Sequence, residues 1–158
     1  MNTSLNYTYV TTPVGLLEVA EYEQRLKHIY FVENASHPES QNSVLSAAKQ
    51  QLTEYIAGEH KTFDLPLDPQ GTDFQKQVWK ALCNIQFGET CSYLDIALQI
   101  GNHKAVRAVG AANGKNPLSI VVPCHRVIGK SGKLTGYAGG LSRKAWLLDL
   151  EKGDNRLF

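Results

Sequence analysis

Cysteine is scarce in this chain. Cys83, Cys91 and Cys124 are the three present, and no two of them form a Cys-x-x-Cys pair. An odd, unpaired set excludes a disulfide framework and a finger-type zinc site, and it fits a reducing compartment. Long apolar runs are lacking as well: nowhere do about eighteen apolar residues follow one another. The opening segment "MNTSLNYTYVTTPVG" has no basic region followed by an apolar stretch, so no targeting segment is read there. The expectation is a protein of the cytoplasm, or of the nucleus if the source is a eukaryote, with no membrane partner. Without disulfides the fold must rest on a core, and 158 residues are enough to bury one.

Acid is missing where it matters most. Between Asp95 and Asp149 there is no Asp or Glu, while Lys104, Arg107, Lys115, Arg126, Lys130, Lys133, Arg143 and Lys144 all fall in that stretch. Residues 1–68 carry nine acidic side chains against four basic, and residues 69–158 six against twelve, so the formal net charge of +1 divides into −5 and +6. An acid-free basic half is the electrostatic footprint of a polyanion-binding surface.

What is present divides at "TFDLPLDPQGT", where two prolines and a glycine interrupt any helical period. The expected domains are 1–68 and 69–158. In the first, "LNYTYV", "GLLEVAEYE" and "RLKHIYFVE" alternate as short strands, with turns at Thr12-Pro13 and around Gln24-Arg25, which predicts a small antiparallel meander. Val44, Leu45, Ala48, Leu52, Tyr55 and Ile56 then recur at helical spacing until Gly58 supplies a stop. In the second part, Thr72 or Asp73 caps a helix through about Cys83. A further helix runs from about Ser92 to Ile100, "GNH" breaks it, and another runs from about Lys104 to Lys115. It ends there because Asn116 precedes Pro117 and is pushed out of helical geometry. Ala97, Gly101, Val106 and Val109 supply the small residue, the turn glycine and the inward apolar positions of a helix-turn-helix.

The helix "KAVRAVGAANGK" offers Arg107 and otherwise small residues such as Ala108 and Ala111. A sequence-reading helix carries Asn, Gln or several Arg toward base edges. Small residues instead allow close backbone approach to a narrow groove, with Arg107 as the one side chain able to enter the duplex.

The stretch "IVVPCHRVIG" holds the candidate chemistry. Pro123 fixes the backbone before Cys124 and disposes Val122 to an extended form, so the expectation is a strand-to-turn transition that presents a rigid nucleophile. His125 and Arg126 make the surroundings electropositive, which favours a thiolate. Adjacent side chains point apart, however, so adjacency alone establishes no Cys-His dyad. Cys83 and Cys91 read as structural, and Glu151 as a surface charge near a helix C-terminus.

"PCHRVIG", with "NP" seven to eight residues before the cysteine, "RAVG" and "FGETCSY" earlier, and "GYAGGLSRKAWLLDLE" after it, resembles the O6-alkylguanine-DNA alkyltransferases. The close match runs from about Phe74 to Glu151. The resemblance implies an α/β fold of α+β type: a small ribonuclease-H-like N-terminal antiparallel sheet with a helix, then a helical winged helix-turn-helix domain, its wing near Thr135 to Tyr137. It implies irreversible, single-turnover transfer of an alkyl group from O6 of a flipped-out guanine to Cys124, with O4 of thymine open as a second substrate. By the same resemblance His125 is the base and Glu151 orients it, while Asn116 ties the helix-turn-helix to the active-site segment. Tyr93, Tyr137, Ala138 and Val122 line the substrate, with Tyr93 donating to guanine N3. Arg107 fills the space of the flipped base, and Asn102, Ala108, Lys104 and Lys130 join it on DNA. The implied partner is double-stranded DNA carrying O6-alkylguanine, bound by a monomer in the minor groove without sequence specificity. The acceptor is the protein's own cysteine, so no cofactor is expected. Some members hold structural zinc near the N-terminus, but no cysteine precedes Cys83 here, so no metal is expected either.

Two positions depart from the pattern. Ala138 stands where several members have serine or a bulky basic residue, and Ser119 where some have a proline; both bear on substrate range. Two other function classes compete. A non-catalytic winged helix-turn-helix module, either a transcription factor or an alkylation sensor, would want a reading helix or a replaced motif cysteine, and the chain has neither. A cysteine hydrolase built on Cys124 and His125 would turn over repeatedly.

Overall fold

The computed structural model describes residues 4–153, and the chain divides into two compact units between Pro69 and Gln70. In the first, β1 (Asn6–Thr12), β2 (Gly15–Tyr22) and β3 (Arg25–Val32) form an antiparallel sheet in sequence order. Both hairpins have two-residue connections. In the second of these, Glu23 and Gln24 sit at φ 50° and 66°, the conformation that a tight hairpin requires and that Gly or Asn ordinarily supplies. The Gln24 amide donates to Glu21 Oε2 at 2.8 Å, which offsets part of the strain. Strand alternation puts Val10, Leu17, Val19 and Ile29 on one face. There they share a core with Leu45, Ala48, Leu52 and Tyr55 of α1 (Ser43–Ile56), all fully or nearly fully buried. Asn42 caps α1 by accepting from the Leu45 amide at 2.8 Å.

The second unit holds α2 (Asp73–Leu82), β4 (Cys91–Ser92), α3 (Tyr93–Gln99), α4 (Val106–Gly114), a 3-10 turn at Cys124–Arg126, β5 (Val127–Ile128) and α5 (Leu141–Lys152). Two capping boxes start its helices, Thr72 with Gln75 and Ser92 with Asp95, each satisfying two backbone donors that the first turn leaves open. Gly101, at φ 78°, turns the chain between α3 and α4. Trp79 ties α2 to α4 by donating from Nε1 to Ala112 O at 2.8 Å. The mixed α+β architecture expected from the sequence is the one observed. No helix among the described residues is long and apolar enough to cross a membrane.

Two local expectations are corrected and a third is given its form. The helix read as starting at about Lys104 starts at Val106, and Ala105 at its N-cap makes no side-chain cap hydrogen bond. Lys104 lies in the turn, with the Ala105 amide donating to Asn102 O. In the run expected as a strand, Leu118 makes an isolated bridge, Ser119, Ile120 and Val121 are turns and Val122 is a bend. β5 pairs with β4 in parallel, Cys91 opposite Val127. Residues 135–137, read as a wing, form a loop without regular strand.

Candidate active site

The turns of residues 116–124 are what deliver Cys124. Asn116 leaves α4 and takes over the work of a strand neighbour: its Oδ1 accepts from the Leu118 amide at 2.9 Å and its Nδ2 donates to Val122 O at 2.8 Å. The Val121 amide donates to Ser119 O at 2.9 Å around Ile120, which sits at φ 75°. The Cys124 amide donates to Val122 O at 2.8 Å around Pro123, at φ −81° and ψ 62°. These are γ-turns of opposite hand. A buried β-branched residue at positive φ costs on the order of 1–3 kcal/mol, and the Asn116 amide holds the segment in that state.

Behind the nucleophile lies a closed polar array. His125 is fully buried, and its Nε2 is 2.6 Å from Glu151 Oε2. Arg126 reaches the same carboxylate with two nitrogens, Nε to Oε1 at 2.8 Å and Nη2 to Oε2 at 3.0 Å, while its Nη1 donates to Ile85 O at 2.6 Å. The Gly88 amide adds a donor to Oε1 at 3.1 Å. Glu151 is therefore a buried hub of α5, where the residue type alone read as a surface charge.

Burial works against each charge here, and the partners decide the outcome. It pushes the Glu151 carboxyl up, but the hydrogen bonds and charges of His125 and Arg126 bring it down to about 2. Burial draws His125 below its ordinary value against the opposing pull of Glu151. It raises the Cys124 thiol to about 11, with Asn116, the Lys144 charge and a backbone hydrogen bond acting in the other direction. Near neutral pH the group therefore rests as thiol, neutral imidazole and carboxylate. A nucleophile in that state needs a base beside it.

The structure gathers Cys124, His125, Glu151, Asn116 and Val122 into this cluster. Val122 is buried, and its carbonyl is committed to Asn116 and the Cys124 amide. Tyr93 opens α3, and its hydroxyl meets Thr135 at O (3.1 Å) and Oγ1 (3.0 Å). Tyr137 is buried two residues further on, and Ala138 beside it is exposed. Arg107 and Ala108 on α4, Asn102 and Lys104 in the turn before it, and Lys130 after β5 are all exposed and stand outside the Cys124 cluster. Open clefts of about 540 Å³ and 490 Å³ lie elsewhere, the first lined by Thr8, Glu39 and Lys49 and the second by Asn84, Glu89 and Asp95.

Two cations assigned to the surface by composition are interior. Arg126 is 6% exposed and Lys144 0%. Lys144 Nζ donates to Val127 O and Thr135 O, each at 2.5 Å, and so bridges the strand after the Cys124 turn to the loop that also holds Tyr93. The available signal was spacing: Lys144, Leu147, Leu148 and Glu151 share the buried face of α5. Asn113, buried on α4 with Nδ2 3.4 Å from Cys124 O, was also missed, since an Asn in a small-residue helix reads as solvated. Among the described residues no group of three or more His, Cys, Asp or Glu is arranged to hold a metal ion.

Known proteins match this chain over nearly its whole length. The model of the family described as 6-O-methylguanine DNA methyltransferase, DNA binding domain, matches residues 73–153, and that of the ribonuclease-like domain matches residues 5–69. A Bacillus subtilis protein named methylated-DNA–protein-cysteine methyltransferase, constitutive, is 51% identical over 92% of this chain and 94% of its own. The crystal structure of the Mycobacterium tuberculosis O6-methylguanine methyltransferase is 48% identical, covers 98% of this chain and 97% of its own, and superposes with a TM-score of 0.86. A Mycobacterium tuberculosis structure in complex with DNA is 50% identical over 96% of this chain and 95% of its own, with a TM-score of 0.87. With both domains matched and half the residues shared, the chain belongs to the 6-O-methylguanine DNA methyltransferase family.

Proposed function

We infer that this protein repairs alkylated DNA by direct reversal, transferring the methyl group from O6 of guanine to Cys124 once per molecule. The observation that carries the reading is the 2.6 Å contact with Glu151 of buried His125, the residue next to buried Cys124, in a chain about half identical to methylated-DNA–protein-cysteine methyltransferases. Sγ attacks the methyl carbon; the S–C bond forms as the C–O6 bond breaks, and guanine leaves with the electron pair. The thiol proton passes through a water to His125, whose imidazolium then faces the Glu151 carboxylate. Tyr93 exchanges its Thr135 contact for a hydrogen bond to guanine N3 and stabilises charge on the leaving base. The product is a thioether, which has no carbonyl for water to attack, so the protein is spent.

O6 is stacked inside a duplex, and the base must be turned out to reach a buried sulfur. The exposed side of α4, with Arg107, Ala108, Ala111 and Lys115, suits close approach to the minor groove without sequence readout. Arg107 fills the vacated position, and Asn102, Lys104 and Lys130 contact the backbone. Asn116 keeps the Cys124 segment aligned, and Ala138 offers only its backbone to the substrate. The protein works as a monomer, without cofactor or metal, in the cytoplasm, or in the nucleus of a eukaryotic source.

The test is the intact mass of the protein after incubation with duplex carrying O6-methylguanine. One methyl per chain, mapped by peptide analysis to Cys124 and absent in Cys124→Ser while DNA binding persists, is the expected result. Binding without an adduct would make the protein a sensor, repeated turnover would make it a hydrolase, and a methyl on Cys83 or Cys91 would move the nucleophile.

A further inference from the structure

Arg126 is a permanent cation placed in the interior. It closes the 3-10 turn, and the loop after α2 encloses it: Nη1 donates to Ile85 O at 2.6 Å, and the guanidinium carbon lies 5.8 Å from the centre of the Phe87 ring. Its remaining nitrogens face Glu151, Nε to Oε1 at 2.8 Å and Nη2 to Oε2 at 3.0 Å. Oε2 is also the oxygen that His125 Nε2 meets at 2.6 Å. One carboxylate therefore stands between a guanidinium, which keeps its proton at any ordinary pH, and an imidazole that can be neutral or charged. The titratable and charged groups acting on that imidazole, among the described residues, are Glu151 and Lys144 from α5, Arg126 and the neighbouring Cys124.

Charge balance decides which state the imidazole takes. With His125 neutral, Arg126 and Glu151 cancel. A proton taken up from solvent would leave that buried group with an uncompensated positive charge, and the buried Lys144 opposes it as well. Such a charge is costly in the interior. A proton from Cys124 is different, because it leaves a thiolate behind as it makes the imidazolium, and the total charge of the cluster does not change. We propose that Arg126 is a positioning residue of the methyl transfer: by occupying the Glu151 carboxylate it keeps His125 neutral at rest and reserves the imidazole for the proton of Cys124. The inference rests on the repair reading above. Without the guanidinium, His125 and Glu151 would rest as imidazolium and carboxylate, a sound ion pair with no capacity to accept the thiol proton.

The experiment follows the ring and the reaction together. In protein carrying isotope-labelled histidine, the NMR signals of the His125 ring, assigned by their loss in His125→Asn, are read from about pH 5 to 9 in the parent, Arg126→Gln and Arg126→Lys. Single-turnover rates of methyl transfer from duplex O6-methylguanine are measured over the same range, with melting curves for each variant. The parent ring should be neutral at neutral pH, with its proton on Nε2. Arg126→Gln keeps an amide for the carboxylate and removes the charge. Its ring should be an imidazolium at neutral pH, and the acid limb of its rate profile should move up by about one unit or more, so that activity lost at neutrality returns as pH rises. Arg126→Lys restores a cation and should keep the ring neutral and the limb near the parent's position. A neutral ring in Arg126→Gln, a rate that falls equally at every pH, or an Arg126→Lys limb displaced as far as that of Arg126→Gln would overturn the proposal. If Arg126→Gln does not fold, the parent and Arg126→Lys decide: an imidazolium at neutral pH in either overturns it, and a neutral ring in both supports it. Failure of the parent to take up any methyl would instead remove the repair reading, and the ring measurements would stand apart from it.

Discussion

Glu151 serves His125 and Arg126 with one carboxylate, and the two contacts have opposite consequences. Arg126 keeps the carboxyl ionised but neutralises it, while in the proposed reaction His125 needs that negative charge only when it carries the proton from Cys124. Glu151→Gln keeps the shape and an acceptor for Arg126 and removes the charge, so the imidazolium loses its counter-ion. The pH profile of methyl transfer should move up by about one unit and the rate at neutral pH fall roughly tenfold; an unchanged profile would reduce Glu151 to a packing role. Stability carries the same signature. The Glu151 carboxyl sits at about 2 against an ordinary 4.5, so its contribution is complete above about pH 4.5 and lost as pH falls toward 2. His125, held below 6.5, loses its own contribution in the same direction, from about pH 6.5 downward. The melting difference between parent and Glu151→Gln should therefore be largest near neutrality and vanish toward pH 2. The motif around Cys124 was legible in the sequence, because a Pro-Cys-His-Arg run at fixed distances from "NP" and "WLLDLE" is specific. Lys144 and Arg126 were not legible, since charge argues for the surface. The carbonyls that hold them inside, of Val127, Thr135 and Ile85, leave no mark on composition.

At the scale of elements, α4 is asymmetric. Val109, Ala112 and Asn113 are buried, and Arg107, Ala108 and Ala111 are exposed. A single arginine among alanines fits a residue that enters the duplex more than one that reads it. Arg107→Ala should slow repair of duplex O6-methylguanine by roughly tenfold or more while leaving reaction with free O6-alkylguanine base nearly unchanged, since only the duplex reaction must hold a base outside the stack. Equal losses on both substrates would remove the role. The sheet of the first unit and the approximate positions of the first four helices followed from alternation, helical spacing and the Gly and Pro stops, whereas α5 was read only as a helix end near Glu151. What escaped was set by tertiary partners: the two-residue strands β4 and β5 exist through each other, and the 118–122 run is coiled by one amide, that of Asn116. An apolar run bounded by proline reads as a strand until the side chain that satisfies its backbone is seen.

Over the whole molecule, charge is sorted by unit. The acidic first unit gains nothing from DNA phosphates, and the attraction falls to exposed cations of the second. Lys104, Arg107, Lys115 and Lys130 are exposed around α4 and the turn after β5, whereas Arg126 and Lys144, counted in the same acid-free stretch, are buried. With Arg107 inside the duplex, binding through the three lysines should give a slope of log K against log salt of about −3, since each phosphate contact on duplex DNA contributes about −0.9. Lys130→Ala should reduce the magnitude of that slope by about one and weaken binding to damaged and undamaged duplex alike. Lys144→Met should leave the slope where it was, because its ammonium meets carbonyls and not phosphates, yet slow methyl transfer by loosening the Val127 and Thr135 carbonyls that it holds together. Titrations of both variants over a range of salt concentrations, paired with single-turnover rates, separate these contributions. A slope that fell on losing Lys144 would mean the buried ammonium acts through the outer surface after all. A slope indifferent to Lys130 would place the DNA backbone away from the turn after β5.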